Sequence, residues 1–143
     1  MAKINLGRVL IGGIVAGLVS DVLGYLVDGI LLAPHWADGM KALGHINFSP
    51  NQWIWFNLIG LVGGIALIWV YAAIRPRFGA GVKTAVIAGL AVWVIGSLLP
   101  NLSFMWAGGL FSHHLTVLTT LGNLVEIIAG AIAGAALYTE AAN

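Results

Sequence analysis

The sequence predicts an all-α fold: four transmembrane helices in an antiparallel bundle with short loops, forming one integral membrane domain over residues 1–143. Three observations predict it. Charged residues are 8% of the 143 positions and hydrophobic residues 60%, whereas a soluble domain carries roughly 25% charged residues to face water. The apolar residues gather into four stretches, each close to the roughly 20 residues needed to cross a hydrocarbon layer. Pro34, Pro76 and six of the eleven charged residues fall outside those stretches.

The first stretch covers residues 6–32 and stops before Pro34. Lys3 and Arg8 precede an apolar run, as in a secretory leader. The run is too long for one, carries Asp21 and Asp28, and lacks a small-x-small cleavage pattern, so a retained anchor is expected. Residues 35–44 (HWADGMKALG) are too short to span and too mixed for a core, which suits a short interfacial helix or turn. The second stretch, 50–74, opens on Ser49-Pro50-Asn51-Gln52, a capping box with proline at the first helical position, where its missing N–H costs nothing. It ends before Arg75-Pro76-Arg77, where Pro76 is expected to break the helix and Gly79 and Gly81 to turn the chain. The third runs over 83–100, with Pro100 ending or kinking it, and the fourth over 112–138 with Ser112 as its cap.

Lys3, Arg8, Arg75, Arg77 and Lys83 fall on one side of such a bundle and Lys41 on the other. The positive-inside rule then puts both termini in the cytoplasm, and so uneven a split counts against dual topology. Trp36, Trp53, Trp55 and Trp106 collect at the opposite interface as an aromatic belt.

Small residues at helical spacing let membrane helices approach closely. Gly13 and Gly17, Gly60 and Gly64, and Gly130 and Gly134 are such pairs, with Gly89 and Gly96 seven apart in the third stretch. At 100° per residue Asp21 and Asp28 share a face with Gly17, Asn57 with Gly60 and Gly64, and Thr119, Asn123 and Glu126 with Gly130. A polar seam of Asn57, Thr119 and Asn123 inside the bundle is expected, with Asp21, Asp28 and Glu126 turned into it.

Those acids carry the functional question. Each costs about 2.5–3.5 kcal/mol at the bilayer centre, and the lysine and arginine within the stretches, Lys83 and Arg8, sit at their ends, away from the acids. One reading is a proton or small-cation site in which Asp21 and Glu126 meet at mid-depth, with Asp28 on the route out. The plainer reading is interhelical hydrogen bonding, although such contacts average only about 0.6 kcal/mol.

His35, His45, His113 and His114 fall at the outer interface near Met40, Met105 and Asp38, where a metal site can be imagined. Adjacent His113 and His114 diverge by about 100° on a helix, and the spacing matches no strong metal signature. Net charge is +1, too little for a nucleic-acid surface, and the composition excludes a soluble enzyme. The absence of cysteine excludes disulfides, thiolate metal sites and c-type haem attachment. No lysine within a span is placed to hold retinal, and no Ser or HExxH arrangement supports hydrolysis. No particular cofactor is specified.

The turn YAAIRPRFG at 71–79, with WADGMKALG at 36–44, Val125-Glu126, Gly134 and LYTE at 137–140, resembles an uncharacterised family of small bacterial four-helix membrane proteins. The resemblance covers most of the chain. It implies four spans and a bacterial inner membrane, and brings no activity or residue role with it.

Three functions are therefore expected, in this order. The first is a non-enzymatic accessory or structural subunit packing against partner transmembrane helices in a homo-oligomer or larger complex. The second is a proton- or small-cation-linked transporter or channel using the three acids, and the third a binder of a metal or lipophilic cofactor at the outer face.

Overall fold

The computed structural model describes residues 3–45 and 48–141. Its elements are α1 (Leu6–Leu31), α2 (Ala33–Ala42), α3 (Pro50–Phe78), α4 (Val82–Ala107) and α5 (His113–Ala135), with no strand among the described residues. All but α2 are long and apolar enough to cross a membrane.

Three side chains start the helices as their chemistry requires. Asn5 accepts from the Arg8 N–H at 3.1 Å, and Ser112 from the Leu115 N–H at 3.2 Å. At α3 both halves of the capping box form: Ser49 Oγ accepts from Gln52 N at 3.3 Å, and Gln52 Oε1 accepts from Ser49 N at 2.6 Å. Ser49→Ala removes one half. It is expected to cost about 0.5–2 kcal/mol of local stability, read as faster amide exchange over the first turns of α3 with the rest of the chain unchanged.

Two prolines behave differently from expectation. Pro76 does not break α3, which continues to Phe78 and ends where Gly79 takes φ +86°. In the last turn the proline removes only one bond, so the helix tolerates it. Nor does Pro100 end α4. The backbone on either side widens into π-helix, with Leu99 N–H bonding the Val94 carbonyl and Gly108 N–H bonding that of Ser103. The wider turn makes room for the ring that would otherwise strike the preceding turn. The last seven residues of α1, Tyr25–Leu31, are also π-helical. α5 closes at Ala135, earlier than expected, in a turn through Leu137 and Tyr138.

α1 lies between α3 and α5, and α4 packs on α5 and α3. Gly13 lies on Ile65 and Gly17 on Leu61 and Gly60, while Gly12 meets Gly134 and Ala16 meets Gly130. Numbers fall along α3 and α5 as they rise along α1. These crossings are backbone against backbone, so small side chains line them, with Leu67, Ile68 and Tyr71 of α3 completing the core. Ala16, Ala85, Ala88 and Ala131 are fully buried. Many other large apolar side chains point outward: Leu31, Val62, Ile95 and Phe104 are each about two-thirds exposed or more. A water-soluble protein of this size could not carry that surface.

One end of the bundle is tied by side chains of α3 and of the segment after α5. Tyr71 Oη accepts from Gly81 N–H at 3.1 Å and Tyr138 Oη from Asn5 N–H at 3.3 Å, and the two rings meet edge to face. Arg75 lies over the Tyr138 ring and 3.4 Å from Glu140. At the other end α2 folds back over the start of α5, with Trp36 edge-on to Phe111.

Candidate functional site: three carboxyls in a polar seam

Each of the three acids occupies its own setting. Asp21, partly buried, rests its carboxylate directly on Gly60 of α3, where any side chain would strike it. Asp28 sits in the π-helical end of α1, and its Oδ1 accepts two hydrogen bonds, from Trp36 Nε1 at 2.9 Å and Thr119 Oγ1 at 2.5 Å. It thereby links α1, α2 and α5.

Glu126 is the buried one, 7% exposed, reaching from α5 toward α1. Its carboxyl group fits because two glycines clear the space. A carbon added at Gly24 would lie 3.3 Å from Oε2, and one at Gly122 3.5 Å from Oε1. Asp21 thus rests on Gly60 of α3 and Glu126 on Gly24, one turn from Asp21 on α1, with no hydrogen bond joining the two carboxyls among the described residues.

A hydrogen-bonded chain runs from Glu126 into α4. Asn123 Nδ2 donates to Glu126 Oε2 at 3.2 Å, and Asn123 Oδ1 accepts from Ser97 Oγ at 2.7 Å. Asn101 Nδ2 donates to Ser97 Oγ at 3.4 Å and to Thr120 Oγ1 at 2.9 Å. Trp93 Nε1 donates to the Thr120 carbonyl at 2.9 Å, and Ser20 Oγ to the Glu126 carbonyl at 3.1 Å. Asn123 here, and Thr119 on Asp28, are the seam residues that the sequence singles out. It does not single out Ser20, Trp93, Ser97, Asn101 and Thr120, although Ser97 and Asn101 stand one helical turn apart. Ending the third helix at Pro100 hid that spacing.

Asn57 stands outside the seam. It is exposed, and its amide donates to the Trp53 carbonyl of its own helix at 2.7 Å. The α1–α3 crossing closes at Gly60, so a residue one turn earlier no longer faces α1. The glycines Gly13, Gly17, Gly60, Gly64, Gly130 and Gly134 all meet other parts of this chain, whereas Gly63 and Gly96 face open space.

The four histidines do not converge. The His35 and His114 rings lie 5.2 Å apart, His113 stacks on Trp106 at 3.9 Å, and His45 is exposed. Among the described residues no three His, Cys, Asp or Glu side chains gather as a metal would need. Two open apolar grooves mark the outside. One of about 380 Å³ follows Val125, Ile128 and Ile132 of α5, and one of about 190 Å³ lies between Trp93, Trp106 and Val117. Neither is lined by a carboxylate.

Comparison of the chain with protein-family models, with curated proteins and with solved structures finds no match in any of the three.

Proposed function

We propose that this chain is a small polytopic protein of a bacterial inner membrane, a non-enzymatic subunit that docks against partner transmembrane helices. In this reading α1, α3, α4 and α5 cross the bilayer in alternating directions. The opposed register of α1 against α3 and α5 supports alternation, and the outward-facing Leu31, Val62, Ile95 and Phe104 support a hydrocarbon surround. The split of Lys3, Arg8, Arg75, Arg77 and Lys83 from Lys41 supports cytoplasmic termini.

One observation carries the subunit role. From Pro50 to Ile59 every residue of α3 is exposed, so that nearly three turns stand clear of the bundle on all sides. That segment carries Gln52 and Asn57 together with Trp53, Trp55 and Phe56. The two amides are held within the segment, Gln52 in the cap and Asn57 on the Trp53 carbonyl, so the aromatic rings are the surface left for a partner, and such rings are enriched at protein contacts. The paired glycines are already used inside the chain, so the docking face is the free start of α3.

With no native cysteine, single-cysteine variants test this cleanly. Cysteine at Phe56 or Ile59 is expected to cross-link in native membranes, to a second copy or to another membrane protein. Cysteine at Val125, on the apolar groove of α5, is expected to stay uncross-linked. A chain that remains a lone monomer with all three probes overturns the subunit role.

A further inference from the structure

Among the described residues, the buried side-chain polar atoms without a hydrogen-bond partner are Arg75 Nε, Arg75 Nη1 and Glu126 Oε1. Arg75 has Glu140 and the Tyr138 ring beside it. Glu126 Oε1 has hydrocarbon and two glycines: Gly122, with Val27 Cγ1 over it, and Gly24. Buried polar atoms in folded proteins are almost always paired, so an exception points to a role or a missing ligand.

The chemistry of the surroundings narrows that ligand. The charged groups facing Glu126 are Asp28 and Asp21, both carboxyls and both on α1. α3 and α4 carry their Arg and Lys residues only at the far end, and α4 reaches Glu126 through uncharged Ser97 and Asn123. Negative neighbours without a basic partner call for a cation. Metal cations demand a shell of oxygen ligands, and the glycine and valine carbons around Oε1 offer none. A proton needs a single lone pair.

We infer that Glu126 is a proton-binding carboxyl enclosed in the bundle, with the proton on Oε1 and Asn123 as its positioning residue. Asn123 donates to Oε2 at 3.2 Å while Ser97 Oγ donates to its Oδ1, which engages Oε2 as the acceptor. Oε1 is left as the atom that gains and loses the proton. Binding adds one proton from water to Oε1 and release returns it; no other bond changes. The site stands whether or not the start of α3 docks a partner, because none of its atoms belongs to residues 50–59.

The chain contains two glutamates, Glu126 and Glu140, which makes the test direct. Purified full-length protein carrying ¹³C at the glutamate side-chain carboxyl gives two resonances, and Glu126→Gln assigns them by removing one. The expected result is a Glu126 carboxyl resonance distinct from that of Glu140, with its own transition as pH changes. Asn123→Ala is expected to move the Glu126 transition and leave that of Glu140 in place, a shift that mere loss of packing would not confine to one resonance. If Glu126→Gln fails to fold, selective loss through Glu126→Asp makes the assignment. Two carboxylate signals that titrate together overturn the inference, as does a Glu126 transition unmoved by Asn123→Ala.

Discussion

Gly64→Ile is expected to drive α1 and α3 apart, while Gly63→Ile, one residue away, leaves the protein folded as before. A side-chain carbon at Gly64 would fall on the Gly17 nitrogen and the Gly13 carbonyl oxygen. Both are backbone atoms of a helix, and neither can swing aside as a side chain would. Only separation of the helices relieves the clash. Overpacking a core costs about 1–3 kcal/mol even when side chains can adjust, and here the same separation uncovers Gly13 and Gly17 as well. At Gly63 nothing lies within reach of an added carbon, and a helix interior favours almost any residue over glycine by a few tenths to about 1 kcal/mol. Thermal unfolding of the two variants in the same detergent decides it: a large fall in Tm for the first, with no fall for the second. Equal Tm values would mean that the α1–α3 crossing does not hold the bundle together.

That contrast also marks what could be read from the chain. The glycine pairs in the first, second and fourth stretches stood out because helical spacing is a local property. Where they point is not local, and Gly63 looks as suitable as Gly64 until α1 is in place. The acids were conspicuous for a similar reason, since a carboxyl among apolar residues is costly wherever it faces. Their partners were another matter. Asp28 finds Trp36 across the break between α1 and α2, and no helical wheel extends across a break. Asn101 lay hidden beyond Pro100, because a proline reads as a stop unless the backbone widens around it. Asn57 was placed in the seam by its phase with Gly60 and Gly64, a phase that loses its meaning once α3 outruns its contact with α1.

Asp28→Ala is expected to release α2. Two donors end on Asp28 Oδ1, and they respond differently to its loss. Thr119 can turn its hydroxyl to a carbonyl one turn back on α5, as Thr120 does to Thr116 at 2.6 Å. The Trp36 indole N–H, which can only donate, loses its acceptor while the ring stays against Phe111. Losing the partner of a buried donor costs about 1–3 kcal/mol, and this bond is one of the few that hold α2 to the bundle. Lys41, exposed near the end of α2, lies alone between Arg8 and Arg75 as a site for trypsin. A freed α2 is therefore cut there into two defined fragments, severalfold faster than in the parent protein. Asp28→Asn keeps an oxygen that accepts from both donors and is expected to protect Lys41 as the parent does. Adding Trp36→Phe to Asp28→Ala removes the stranded N–H and is expected to slow cleavage again. Unchanged cleavage in Asp28→Ala would assign the docking of α2 to the contact of Trp36 with Phe111 rather than to the carboxylate.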